Sequence, residues 1–179
     1  MANILVVISS ARKGRVADTL VPFVTDAVEA HDGTVATIAD LQALDLPFYN
    51  EPISPATPGF SPSDERAVAW TQLVADADGI VFLTPEYNHA INGIQKNAID
   101  WIKHEWQGKP VSLIAYGWAG GEYSIVDAQR ILEYLETKFQ PTIGRLYFTK
   151  QLAPDGSVID EAALRTIVAG TIDELIASL

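Results

Sequence analysis

Five short apolar runs recur along the chain, at 3–8, 34–38, 79–83, 111–116 and 143–148, and a stretch with helical spacing follows each. The runs are rich in Val, Ile and Leu and show little polar alternation, as expected of strands covered on both faces. Parallel neighbours need long crossovers whereas antiparallel neighbours need only hairpins, so alternation of strand and helix specifies a parallel sheet with right-handed connections. With five strands, the expected order is 2-1-3-4-5, a three-layer α/β sandwich. Its ligand crevice opens beyond the carboxyl ends of strands 1, 3 and 4, where neighbouring connections leave the sheet in opposite directions.

The intervening helices are expected over 16–30, 63–77, 91–107, 123–139 and 160–177. Pro22 fits the first of these only if that helix starts near Asp18 and the ring falls close to its first turn. Ser63, or Ser61 before Pro62, is the expected cap of the second. Residues 40–63 contain five prolines, Pro47, Pro52, Pro55, Pro58 and Pro62, which predicts a long and mostly irregular connection. No linker or internal repeat interrupts the series, so residues 1–179 are expected to form a single domain.

Composition removes several functions. The chain has no cysteine, which excludes disulfides, thiolate metal sites and a cysteine nucleophile. Its three histidines, His31, His89 and His104, lack ligand-like spacing with carboxylates, so no metal site is expected. A net charge of −11 disfavours nucleic acid and anionic lipid as partners. The first residues read as a strand and not as a signal peptide, and no apolar run reaches the roughly 18 residues of a membrane span, so a cytoplasmic location is expected.

Against this acidic background, Arg12, Lys13 and Arg15 cluster directly after the first strand, in Ser9-Ser10-Ala11-Arg12-Lys13-Gly14-Arg15. Hydroxyls, a glycine and guanidinium groups at the start of a helix suit a bound anion, above all a phosphate. The loop lacks both the Gly-Lys-Ser/Thr of a nucleoside triphosphatase and a G-x-G-x-x-G fingerprint. After the third strand comes Pro85-Glu86-Tyr87-Asn88-His89, a loop with a rigid residue, an acid, a ring, an amide and an imidazole. Tyr87 suits packing beside a flat heterocycle. Beyond the fourth strand, Gly117-Trp118-Ala119-Gly120-Gly121 allows a ligand to approach the backbone closely. No Gly-x-Ser-x-Gly hydrolase elbow is present. All three loops fall on one edge of the expected sheet.

These residues carry a family likeness. Pro85-Glu86-Tyr87-Asn88, followed by Gly93-Ile94-Gln95-Lys96-Asn97-Ala98-Ile99-Asp100-Trp101, resembles the P-E-Y-N…G-x-L-K-N-A-I-D-W signature of the NAD(P)H-dependent FMN reductases, flavodoxin-like proteins that include quinone and azo-dye reductases. The family's early G-S-x-R-x-G-S is matched by residues 9–15, with Ser9 for the first Gly and Arg15 for the last Ser. The resemblance implies that Ser10, Arg12, Arg15 and Val16 hold the FMN phosphate and that Pro85, Glu86, Tyr87 and Asn88 line the isoalloxazine. Gly117, Trp118, Gly120 and Gly121 would close its other edge. It further implies hydride from NADPH or NADH, reduction of a quinone, free flavin, azo compound or similar small acceptor, and no catalytic side chain. A homodimer or homotetramer is implied too, with Trp101, Trp106 and other apolar groups of 91–106 at the contact or in the core. Two alternatives stand beside it: a flavodoxin-like electron carrier that does not itself oxidise NAD(P)H, and a flavin-free binding protein on the same fold.

Overall fold

A computed structural model describes all residues, 1–179. The strands are β1 (Ala2–Ile8), β2 (Thr34–Asp40), β3 (Gly79–Pro85), β4 (Pro110–Gly117), β5 (Lys138–Phe139) and β6 (Gly144–Tyr147). The helices are α1 (Ala17–Glu29), α2 (Leu41–Leu44), α3 (Glu65–Ala75), α4 (Gly93–Asp100), α5 (Glu122–Tyr134) and α6 (Glu161–Ala177). All strand pairings in the sheet are parallel, in the order β2-β1-β3-β4-β5, with β6 also on β4. This is the expected flavodoxin-like sandwich with one modification. Two short segments share the fifth position: β5 pairs with the start of β4 and β6 with its end.

The burial pattern explains why the sheet forms. All residues of β3 and β4 are buried, as both-face covering requires. One apolar cluster packs α3, α4 and α5 against the face bearing Leu5, Phe82 and Leu113; the other packs α1 and α6 against the face bearing Ile4, Val81 and Ile114. Trp101 and Trp106 belong to the first cluster and are almost fully buried, so they are core residues of this chain and unavailable to a partner. Their indole N–H groups donate to the carbonyls of Pro47 and Ile99, and Trp70 donates to Ala98. Each of these three buried indoles thus has its polar atom satisfied.

Several boundaries depart from expectation. Helix α1 starts at Ala17, so Pro22 lies well inside it and not near its first turn. Pro22 is exposed, and so is Asp18, whose carbonyl loses its partner, which makes the break tolerable. Asp64, not Ser63 or Ser61, caps α3 by accepting from the Arg66 N–H. Helix α4 ends at Asp100, short of Gly108, and a single 3-10 turn at His104–Trp106 follows. Helix α5 ends at Tyr134, after which Glu136 adopts a left-handed backbone (φ 63°) that turns the chain into β5. The 40–63 connection opens with the one turn of α2, capped by Asp40. No helix is long and apolar enough to cross a membrane.

Candidate active site

A cavity of about 390 Å³ opens at the carboxyl ends of β1, β3 and β4, and the three loops singled out in the sequence converge on it. Ser10, Arg12, Arg15, Val16, Pro85, Glu86, Tyr87, Asn88, Gly117 and Trp118 line it; Gly120 and Gly121 do not. A wider, open depression of about 560 Å³ lies at the opposite end of the sheet, bordered by Met1, Asp78, Lys109 and Leu179, and contains none of these loops.

The first loop is organised around unused donors. The backbone N–H groups of Lys13, Gly14, Arg15 and Val16 donate to no atom of the chain, and the N-cap of α1, Val16, has no side chain able to accept one. Gly14 makes the turn with φ +65°. The result is a cluster of free amides at the positive end of a helix, a ready anion site. Arg12 is exposed and forms no ion pair, so its guanidinium is free to join it.

Arg15 is differently engaged. Its guanidinium forms a two-pronged pair with Asp40 (2.5 and 2.7 Å) and also donates to Asp18 (2.7 Å), to the Ser10 carbonyl (2.9 Å) and to Gln42 (3.2 Å). The guanidinium beside Asp40 holds that carboxyl below the usual carboxylate range. Arg15 therefore fastens the loop to the end of β2, and what it offers a phosphate is its backbone N–H more than its side chain.

The second loop is a two-residue β-hairpin. Tyr87 and Ala90 exchange both backbone hydrogen bonds (3.0 and 3.1 Å), while Asn88 and His89 have φ 50° and 61°. Positive φ at both central positions is the signature of a type I′ turn. Asn and His are among the few side chains that tolerate it. Their N–H groups find no acceptor in the chain. Pro85 is the last residue of β3, in register with Tyr116, and the Glu86 N–H donates to the Tyr116 carbonyl, so the hairpin grows rigidly from the sheet. Behind it, the Asn92 side chain caps α4 and reaches back to the Ser9 carbonyl, tying the first loop to the second.

In the third loop the glycines serve packing. A Cβ on Gly120 would meet the Tyr147 ring at 2.7 Å, and one on Gly121 would meet the Ala115 Cβ at 2.5 Å, with both residues at left-handed φ. They let α5 start directly over β4, and the N–H groups of Trp118 and Ala119 remain without acceptors. Glu86 completes the arrangement by accepting from the Tyr123 N–H (2.8 Å) at the start of α5, where a carboxylate is electrostatically favoured.

Aromatic pairs flank the mouth. His89 stacks on Tyr123, with ring centroids 4.2 Å apart, and Trp118, 69 % exposed, meets Phe148 edge-on at 5.6 Å. On the floor, the hydroxyls of Ser10 and Tyr87 are 3.0 Å apart, and the buried hydroxyl of Tyr116 has no partner. Sequence reasoning missed Tyr116, which reads as one more core residue of an apolar run, and Phe148, which lies after the last strand. Position at a strand's carboxyl end was the available signal for both.

Comparison with known proteins agrees with this geometry. The family model described as NADPH-dependent FMN reductase matches residues 2–144. An NAD(P)H-dependent FMN reductase, ntnL of Nectria sp, is 35% identical over 147 residues, covering 79% of this chain and 73% of the relative. The quinone reductase of Escherichia coli K12 is 29% identical, covering 99% and 91%. In three dimensions the chain is similar to the flavoenzyme NAD(P)H:(acceptor) oxidoreductase FerB of Paracoccus denitrificans, with TM-score 0.75, 24% identity and 99% of each chain covered, a likeness of fold.

Proposed function

The chain belongs to the NADPH-dependent FMN reductase family, and on that premise we propose that its three-loop cavity holds FMN and that the protein carries electrons from NADPH or NADH to small acceptors. The observation that carries this reading is the convergence on one cavity of the loop that opens α1 and the loop that leads into α5. Each presents backbone N–H groups with no acceptor in the chain. The free amides of residues 13–16 and the exposed Arg12 suit a phosphate dianion, with Ser10 and Val16 framing the loop. Pro85 to Asn88 form a rigid edge against which a flat ring fits, and the free N–H groups of Asn88 and His89 suit its carbonyl and nitrogen edge. Gly117 and Trp118 bound the far side, while Gly120 and Gly121 act from behind by setting where α5 begins.

FMN, bound there, supplies the centre that accepts hydride and passes on electrons. The chain's own residues bind and orient it and leave the mouth open between the His89–Tyr123 and Trp118–Phe148 pairs, where a planar nicotinamide or acceptor fits. Quinones, free flavin and azo compounds are the acceptor classes this mouth suits. No side chain is required to move a proton in the hydride step. Residues 1–179 act as one domain in this reading, since every helix packs on the same sheet. Assembly as a homodimer or homotetramer is supported by exposed Tyr123, Val126 and Tyr134 along one side of α5. A cytoplasmic setting, where nicotinamide cofactors are plentiful, completes it.

The test is a visible spectrum of the purified protein with FMN, followed by anaerobic NADPH. A bound flavin spectrum that bleaches on adding NADPH, with steady NADPH consumption once a quinone is present, is the expected result. Bound flavin that stays yellow would convert the protein to an electron carrier. Failure to bind FMN at all would leave only the fold.

A further inference from the structure

Tyr116 lines the cavity near the carboxyl end of β4, is only 3% exposed, and its buried hydroxyl forms no hydrogen bond within the chain. Phenylalanine would fill the same space without leaving a polar atom unpaired, so the hydroxyl has no use in the structure as it stands. The Ser10 hydroxyl faces that of Tyr116 but forms no hydrogen bond of good geometry with it. The Ser10 hydroxyl is 3.0 Å from that of Tyr87, and Arg15 is committed to Asp40 and Asp18. Burial raises the ionisation of Tyr116 above the usual tyrosine range, so it remains an O–H donor at neutral pH. Tyr116 shares the lining of this cavity with the loop whose amides at residues 13–16 are also free, at the positive end of α1.

We propose that the Tyr116 hydroxyl donates to the phosphate of FMN, and that this contact from the sheet makes the site select phosphorylated flavin over riboflavin. The inference rests on the FMN reading above and adds a residue that reading does not use. A phosphate oxygen is the strongest acceptor a flavin can bring to this end of the cavity, and a donor fixed on a buried strand needs no reordering to meet it.

Titrating wild type and Tyr116→Phe with FMN and with riboflavin, by quenching of flavin fluorescence, tests it. The FMN dissociation constant is expected to rise roughly 10- to 100-fold, the loss that follows removal of one hydrogen bond to a charged acceptor, with riboflavin binding unchanged. The 31P resonance of bound FMN is expected to shift. Without flavin, Tyr116→Phe should unfold about 2–4 °C higher than wild type, because an unpaired buried hydroxyl has been removed. Unchanged FMN affinity, or an equal loss for FMN and riboflavin, would overturn the proposal. A destabilised flavin-free variant would do the same, by showing that the hydroxyl serves the fold. Wild type that binds neither flavin would instead overturn the functional reading, and this inference with it.

Discussion

The loops that line the cavity lead into helices α1 and α5, and neither helix is closed by its own N-cap residue: Val16 has no side-chain acceptor and Gly121 has no side chain. Helices α3 and α6 begin elsewhere, and Asp64 and Asp160 close them by accepting from the Arg66 and Ala163 N–H groups. An aspartate at a helix start stabilises by about 1 kcal/mol and also fills the position an anion would take. The chain uses that stabilisation away from the cavity and forgoes it beside the cavity, where the proposed function puts a phosphate. Helix α5 is intermediate, since Glu86 caps it from the neighbouring loop.

The strongest way to break this comparison is at the glycine that starts α5. Gly121→Ala combines a left-handed φ of +72° with a Cβ 2.5 Å from that of Ala115 on a buried strand. It should cost about 3 kcal/mol or more in urea unfolding. Gly14→Ala meets nothing within 4 Å and should cost only about 1 kcal/mol. Equal losses would show that the two helix starts are not built differently.

A smaller effect belongs to the fastening of the first loop. Asp40→Asn keeps a cap for α2 but removes the charge facing Arg15, and should cost about 1–2 kcal/mol near neutral pH. The carboxyl is held below its ordinary value, so its contribution is present above an unfolded pKa of about 3.9 and disappears as pH falls through the lower folded value. The stability gap between wild type and variant should therefore stay level from pH 7 to about pH 5 and close below about pH 4. A gap that closes at higher pH would assign the effect to another group. The smallest pair sharpens the comparison directly. Asp160→Ala should lose about 1 kcal/mol with FMN affinity untouched, and Glu86→Gln about half as much with weaker FMN binding. A drop in FMN affinity in Asp160→Ala would erase the distinction.

How far sequence reaches is visible in particular residues. The strands were legible because runs such as 79–83 are apolar throughout, and Pro85 to Asn88 announced themselves by being rich in chemistry at a strand's end. Lys138 and Phe139 read as the end of the preceding helix because Pro141 is the first stop signal in the sequence, and nothing marks Glu136 as a left-handed stop. The destination of the Arg15 guanidinium was hidden for another reason. Its partner Asp40 is 25 residues away, at the end of a different strand, and only strand pairing brings them together. Tyr116 is concealed by its own burial, which makes a cavity-lining residue look like core.

The Asn88–His89 turn has a consequence for how the protein can change. Both residues sit where glycine is at ease, and each non-glycine residue in that conformation costs about 1 kcal/mol. Their backbone bonds are closed within the turn, and both side chains are exposed. New side chains can therefore be tried at the cavity mouth without disturbing the sheet. Glycine at His89 would stiffen the protein against heat while removing the ring that stacks on Tyr123. In a lineage or a library, residues 88 and 89 are where the few side chains at ease with a left-handed backbone, glycine, asparagine and aspartate above all, can be exchanged at the cavity mouth while the sheet stays as it is.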